Sequence, residues 1–302
     1  MEIADFRGEL RRNELLGRHT SYRIGGPAEL FAVPADQKDL AKLLSVVRSK
    51  GMPCLVLGGG TNLLVRDGGF RGVVICLERI AEIEIAGEYR SVGGIYTLVR
   101  AEAGAPLRRL LAYTLTAGLA GLEFATGIPG SVGGAVCMNA GTSAGETGDV
   151  VKTITMLSPE GEMIKKGGDE MEFRYRRSLV PQGHVVVEAQ FALRRDEKAK
   201  VRERARKLME SRKQNQPWGF PCAGSVFKNP NDRSAGMLIE AAGLKGRKVG
   251  KAQISEKHAN FIVNLGGAKA ADVIALMDIA RDAVLDMHGI RLEPEIKVVG
   301  ED

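Results

Sequence analysis

Residues 125–141 read ATGIPGSVGGAVCMNAG, a run too apolar for a solvent loop and without the periodicity of a helix or a strand. A buried irregular backbone must find partners for its N–H and C=O groups, and a bound diphosphate would satisfy several of those amides at once. A second stretch, LGGGTNLLVRD at 57–67, follows an apolar strand pattern. There Gly58, Gly59 and Gly60 turn the chain with amides facing outward toward an anion, and Thr61 and Asn62 add short polar side chains. A lone glycine triplet serves an ordinary tight turn equally well, but two such loops in one chain point to a large dinucleotide. Neither is a P-loop, because no GKS or GKT follows, and neither is the spaced GxGxxG that opens a Rossmann helix. A third stretch, TSYRIGGPAEL at 20–30, puts Arg23 beside a glycine pair.

With 302 residues the chain is expected to form two or three domains. No apolar run approaches the ~20 residues that span a bilayer, and the opening MEIADFRGELRRN has no apolar segment after its basic residues. A cytoplasmic protein without a membrane partner is expected. Cysteines 54, 76, 137 and 222 form no CxxC pair and have no histidines at ligand spacing, so neither a metal nor a disulfide is expected. The net charge of +6 is accounted for by residues 194–213, which hold ten Lys or Arg against four Asp or Glu and no aromatic residue. That pattern fits a solvated helix better than a nucleic-acid surface, which recruits basic residues from several elements together with stacking aromatics.

Asp36 reads as the N-cap of a helix carrying Leu40, Leu43, Leu44 and Val47, between strands at 29–33 and 54–57, with a further strand at 73–76. Pro106 opens a second helix that stops at Gly118. Residues 150–193 are strand-rich, around a turn at SPEG. QNQPWGFPCAG then breaks the basic helix and marks a domain boundary. Beyond it, Ser234 caps a short helix, ANFIVN reads as a strand, and a long helix runs from about Ala270 to His288.

Two late segments carry chemistry. GSVFKNP at 224–230 sets Ser225 in a glycine-flanked turn beside Lys228 and Asn229, and LEPEIKVVG at 292–300 presents Glu295 after a proline. A serine and a glutamate on separate elements could serve as a proton donor and its electrostatic support, although single polar residues are also common in caps and turns.

TSYRIGGPA, GGGTNLLVRD, TGIPGSVGGAVCMNAG, FRYRRS at 173–178, GSVFKNP, AGLKG at 242–246, ISEKHANFIVN at 254–264 and LEPEIKVVG occur here in one order. Together they make the chain resemble the bacterial UDP-N-acetylenolpyruvoylglucosamine reductases. The resemblance implies an α+β protein with an FAD-binding fold of the vanillyl-alcohol oxidase (PCMH) type in two subdomains, 1–78 and 79–197, and a C-terminal α+β substrate domain at 198–302. The last strand, 290–299, is free to return to the FAD-binding part. It implies non-covalent FAD, NADPH as hydride donor, a small-molecule UDP-sugar substrate, and a monomer or weak oligomer. In the family, hydride reaches C3 of the enolpyruvyl group by way of the flavin, and a serine protonates C2 to give UDP-N-acetylmuramate for peptidoglycan.

Carried over residue by residue, the resemblance makes Ser225 the proton donor, Glu295 the glutamate and Arg176 the arginine. Hydride addition builds charge on C2 and its carboxylate, which a cation stabilises; Glu295 near that carboxylate must be protonated or hydrogen-bonded. Expected cofactor contacts are Arg23, Gly58, Gly59, Gly60, Thr61, Asn62, Thr126, Gly127, Pro129, Gly130, Ser131, Gly133 and Gly134. Expected substrate contacts are Tyr175, Lys228, Asn229, Lys251, Gln253, His258 and Asn260. The family's commoner GGSN is GGTN here, and GGAQ is GKAQ. All five tyrosines (22, 89, 96, 113 and 175) precede Arg176, so the tyrosine loop of one branch is missing and the chain resembles the shorter branch. Lys245, Arg247, Lys248 and Lys251 are candidates for the substrate diphosphate. Alternatives are an FAD oxidase of the same fold acting on another alcohol or sugar, and a nucleotide- or RNA-binding protein using the basic helix.

Overall fold

The computed structural model describes residues 5–230 and 233–302, which divide into two compact units. The first comprises the N-terminal residues through Arg11, Phe31–Gly59 and Val73–Ser211; the second comprises Arg12–Leu30, Gly60–Gly72 and Arg212–Asp302. Three strands, Glu9–Leu15, Pro27–Val33 and Phe70–Cys76, carry the chain from one unit to the other. The division differs from the expected 78/197 boundaries, because the second unit takes in two early segments as well as the C-terminal third.

In the first unit, the Asp36 carboxylate accepts a 2.9 Å hydrogen bond from the Asp39 N–H and opens the helix Gln37–Ser49. Its i, i+3, i+4, i+7 face of Leu40, Leu43, Leu44 and Val47 is buried; each such side chain contributes roughly 1.5–3 kcal/mol of gross burial free energy. Cys54–Leu57 pairs in parallel with Val73–Cys76. A larger antiparallel sheet is ordered Met163–Gly167, Val151–Leu157, Val185–Arg195, Gly94–Glu102, Ile83–Ser91, with Leu119–Ala120 paired to the end of the long strand. The Ile83–Ser91 hairpin arm, which the pattern analysis left unassigned, closes on Gly94–Glu102 through a two-residue Val92–Gly93 turn. The helix Leu107–Ala117 starts after Pro106 and ends at a left-handed Gly118, as expected.

The second unit has its own apolar core, in which Phe227, Ile239, Leu276, Val284 and Leu292 are all buried. Its three-stranded antiparallel sheet runs Lys248–Val249, Ala252–Ile254, Ile262–Asn264, so the expected ANFIVN strand shrinks to its last three residues. The helix Ala270–His288 packs on this sheet. Its first amides are capped from a distance: the Asp67 carboxylate accepts from Ala270 N–H at 3.0 Å and Ala271 N–H at 3.2 Å. Leu63–Val65 pairs in parallel with Lys297–Val299, so the last strand joins the GGGTNLLVRD segment. Among the described residues no helix is long and apolar enough to cross a membrane, and no cluster of His, Cys, Asp and Glu could hold a metal ion.

Candidate active site

Ser225 and Glu295 are brought together by backbone pairing. Phe227 and Pro294 form an antiparallel bridge, the Glu295 N–H donates to the Val226 carbonyl at 2.8 Å, and the Lys228 N–H donates to the Glu293 carbonyl at 2.9 Å. In that register Glu295 lies across from Val226, one residue from Ser225. Val226 and Phe227 are anchored in the core while Ser225 and Glu295 stay half-buried. Glu295 is also held from its other side. Asn62 donates its side-chain amide to the Glu295 carbonyl at 3.1 Å, and its own carbonyl accepts from the Lys297 N–H at 3.0 Å. The Asn62 side-chain nitrogen, expected to contact a cofactor, is thus committed to the segment that carries Glu295.

The two long glycine-rich stretches touch within the first unit. A Cβ on Gly58 would fall 2.3 Å from Ser131 Oγ, and one on Gly59 would fall 2.8 Å from Gly130 Cα, so no side chain fits at either position. The stretch expected to be irregular contains a short helix, Val132–Cys137, capped by Ser131, and much of its backbone finds partners inside the protein. Gly130 C=O accepts from Leu107 N–H at 2.9 Å, Val132 N–H donates to Ala105 C=O at 2.9 Å, and Gly133 N–H donates to Ala103 C=O at 2.8 Å. The Gly134 N–H donates to Ser131 Oγ at 3.3 Å. The amides of Gly133 and Gly134, two of the expected cofactor contacts, are used by the Ala103 carbonyl and by the Ser131 N-cap. Among the side chains of the stretch, Thr126 Oγ1 is buried without a hydrogen-bond partner. Gly127 and Pro129 lie beside it in sequence, Pro129 at the surface. In the second unit the Gly60 carbonyl accepts from the Ser21 N–H at 3.0 Å, which ties the glycine triplet to TSYRIGG, and Thr61 follows half-buried.

Arg176 sits on a tight turn. Arg174 and Arg177 exchange backbone hydrogen bonds of 2.8 and 3.0 Å, leaving Tyr175 and Arg176 at the tip. Arg176 has φ of +56°, a region that costs L-residues roughly 1–2 kcal/mol. Its guanidinium lies 5.0 Å from the centre of the exposed Tyr175 ring. The turn is anchored to the end of the glycine-rich stretch. Asn139, fully buried, donates from Nδ2 to the Arg174 carbonyl at 3.1 Å and accepts from the Gly148 N–H at 2.9 Å. Ser178 donates through both N–H and Oγ to the Cys137 carbonyl, at 3.2 and 3.1 Å. Sequence reasoning passed over Asn139, Ser178 and Asp67; for Asn139 and Asp67 the signal was a short polar side chain beside an apolar, glycine-rich run.

The expected substrate contacts divide. Lys228 faces outward in a 2.5 Å ion pair with Glu293, and Asn229 Oδ1 accepts from Ala235 N–H at 3.0 Å at the start of the Ala235–Ala241 helix. Gln253 is turned inward, donating to the Gly246 carbonyl at 3.2 Å and to Glu256 at 3.3 Å. Asn260 is buried, with both side-chain polar atoms bonded to the Phe227 backbone. The polar side-chain atoms of Gln253 and Asn260 are thus bonded within the protein. His258 is half-buried, and burial followed by the Lys245 charge pushes its pKa below the usual histidine value. Lys251, Arg247 and Lys248 are exposed, whereas Lys245 pairs with Glu240 at 2.6 Å.

Arg23, also at positive φ, lines an open groove of about 590 Å³ with Leu15, Gly17, Arg18, Thr20 and Gly25. On the basic helix Lys198–Asn215, Arg206 pairs with Glu203 and Glu210, Lys200 with Glu197, and Arg204 with Glu123 and Asp196. Much of the charge that invited a nucleic-acid reading is answered by nearby carboxylates.

Two families match the chain: a family described as FAD binding domain over residues 28–167, and one described as UDP-N-acetylenolpyruvoylglucosamine reductase, C-terminal domain, over 216–299. The chain is 46% identical to the UDP-N-acetylenolpyruvoylglucosamine reductase of Heliobacterium modesticaldum, over 98% of this chain and 93% of that protein. It is 43% identical to that of Geotalea uraniireducens, over 99% and 97%. Among solved structures, the UDP-N-acetylenolpyruvylglucosamine reductase from Thermus caldophilus superposes with a TM-score of 0.79 at 37% identity, covering 97% of this chain and 98% of that one. The glucooligosaccharide oxidase from Acremonium strictum matches at a TM-score of 0.50 and 14% identity over 97% of this chain and 59% of its own, a likeness of fold alone. On these matches and the α+β architecture above, the chain belongs to the UDP-N-acetylenolpyruvoylglucosamine reductase family, whose members are FAD-dependent oxidoreductases.

Proposed function

We propose that the protein reduces enolpyruvyl UDP-N-acetylglucosamine to UDP-N-acetylmuramate, a step of peptidoglycan precursor synthesis, with FAD held without a covalent bond and NADPH as hydride donor. The observation that carries the residue assignment is the Phe227–Pro294 register, which sets Ser225 and Glu295 on adjacent paired segments. The residues also suit the cofactor. The glycine contact between residues 58–59 and 130–131 excludes side chains, and the orphaned Thr126 Oγ1 offers a buried donor and acceptor. Thr126, Gly58 and Gly59 would hold the FAD.

Bound FAD supplies the redox chemistry, taking a hydride from NADPH and giving it to C3 of the enolpyruvyl group. The chain's residues manage the charge and the proton. Arg176 supplies a cation to the carboxylate on which negative charge accumulates, an interaction stronger in the transition state than in the ground state. Ser225 gives its hydroxyl proton to C2; the O–H bond breaks, the C2–H bond forms, and the alkoxide recovers a proton from water. A serine is a weak acid, so this works only with the hydroxyl held in contact with C2. Glu295, whose backbone is fixed on both sides, is the nearby carboxyl group that completes the polar surround.

Anaerobic stopped-flow absorbance in the flavin band tests the reading. Bleaching by NADPH and recovery on adding enolpyruvyl UDP-N-acetylglucosamine is the expected result. Bleaching without recovery would move the protein to another substrate, and failure to take up FAD at all would sink the proposal.

A further inference from the structure

We infer that Asn260 is the positioning residue for proton transfer from Ser225, not a contact of the UDP-sugar; this rests on the reading of Ser225 just given. The side chain of Asn260 is 3% exposed and both of its polar ends go to one residue. Its Oδ1 accepts from the Phe227 N–H at 2.9 Å and its Nδ2 donates to the Phe227 carbonyl at 2.8 Å. Its main-chain carbonyl also accepts from the Val226 N–H at 2.8 Å. Asn260 thus imitates a paired strand along the very residues that follow Ser225. On the opposite side, the Val226 carbonyl accepts from Glu295 N–H at 2.8 Å. The Val226–Phe227 segment is therefore the middle of a three-rung arrangement, Asn260 on one flank and Glu295 on the other.

That arrangement fixes a register. Pairing on both flanks holds the backbone of Val226 and Phe227, and Ser225 is the next residue, so a shift of that segment would carry its hydroxyl with it relative to Glu295. Side-chain pairing by an asparagine is suited to the task, because it satisfies an N–H and a C=O of the same residue and so recognises one residue rather than a run of them. A serine hydroxyl stands one rotatable bond from its backbone, so wherever the backbone goes the proton goes. Asn260 also accounts for its own burial: every polar atom of the side chain has a partner, and no ligand is needed to satisfy it.

Asn260→Ala is the test, on the FAD-loaded full-length protein. The Val226 N–H bond to the carbonyl of residue 260 is backbone and survives, so the segment loosens without being released. Flavin reduction by NADPH and FAD content serve as internal controls and are expected to stay within about twofold, while the limiting rate of flavin reoxidation by enolpyruvyl UDP-N-acetylglucosamine falls roughly 10- to 100-fold, the loss expected of a misplaced reacting group. The substrate concentration giving half that rate is expected to change by less than about threefold. In deuterated water the product is expected to carry deuterium at C2 with mixed configuration, since solvent then competes with Ser225 for delivery. Should Asn260→Ala fold poorly, Asn260→Asp keeps the acceptor for the Phe227 N–H at the same size and is expected to show the same pattern.

Four results overturn the inference. A large rise in the half-saturating concentration at unchanged limiting rate makes Asn260 a substrate contact. A parallel fall of both half-reactions with FAD content makes it a structural residue only. Reoxidation that is normal in Asn260→Ala but slow in Ser225→Ala leaves Ser225 as donor and removes Asn260 from its support, whereas normal reoxidation in Ser225→Ala removes the reading of Ser225 and this inference together.

Discussion

Each unit of the protein places a proposed catalytic side chain, Arg176 in the first and Ser225 in the second, with the help of a buried asparagine, but the two devices differ. In the first unit Asn139 fastens a two-residue turn whose tip residue, Arg176, is in the left-handed region. In the second, Asn260 and Glu295 flank an extended segment, and neither Ser225 nor its neighbours departs from ordinary backbone angles apart from Gly224. The side chains explain the contrast. An arginine has a long flexible stem, so its charge is aimed by controlling how the chain enters and leaves its position, and a strained tight turn does that. A serine has almost no stem, and a ladder that fixes the backbone has already fixed the hydroxyl. Strain accompanies the long side chain and register the short one.

The comparison breaks most visibly at Ser225. Ser225→Ala is expected to leave flavin reduction by NADPH intact and to slow reoxidation by the UDP-sugar by roughly 10²–10⁴-fold, the range of a lost general acid. Equal losses in both half-reactions would assign Ser225 a structural role. Arg176→Gly is expected to cost about 10²–10³-fold in the same step, as for a lost electrostatic donor, yet to unfold at the same or higher denaturant because glycine relieves about 1 kcal/mol of left-handed strain. Chemical denaturation of the FAD-free protein checks this, and a clear loss of stability would mean that the turn is not strained by its arginine.

Asn139→Ala sharpens the contrast from the other side. It takes the partner from the Gly148 N–H and one of two donors from the Arg174 carbonyl, and at about 1–3 kcal/mol for a group left unsatisfied it should lower thermal stability measurably while also slowing turnover. Tyr22→Phe predicts the smallest change and the opposite sign. Tyr22 is fully buried, its hydroxyl has no hydrogen-bond partner, and burial drives its pKa upward. Removing that oxygen should stabilise the second unit by up to about 1 kcal/mol, readable in the same denaturation experiment.

Much of this was legible in the sequence where one local rule sufficed. Asp36 as a cap, Pro106 before its helix, Gly118 and Gly289 as stops and Ser234 over Ala235–Ala241 all follow from short-range chemistry, and the structure has each of them. Ser225 and Glu295 stood out as candidates from their local sequence, but their assignment, and that of Arg176, rested on eight motifs in order that resemble one family. Less legible were partners chosen across the chain. Nothing local in Asp67 says that it caps a helix beginning at Ala270, or in Asn62 that it holds Glu295. The Ile83–Ser91 hairpin arm escaped notice because its residues are mostly exposed on both faces, so the alternation that marks a half-buried strand is weak. The partners of the Gly133 and Gly134 amides were illegible for a related reason: buried backbone must be satisfied, but sequence does not say whether a ligand or a neighbouring segment does it.

The parallel pairing of Leu63–Val65 with Lys297–Val299 bears on how the protein is born. The second unit is assembled from Arg12–Leu30, Gly60–Gly72 and Arg212–Asp302, so its early pieces emerge from the ribosome long before the strand that completes it. At roughly 5–20 residues per second, Asn62 waits on the order of ten to fifty seconds for Glu295. During that interval Leu64, destined for the core, has no finished unit to enter. Loss of the Lys297–Val299 strand should therefore harm the second unit more than its three residues suggest.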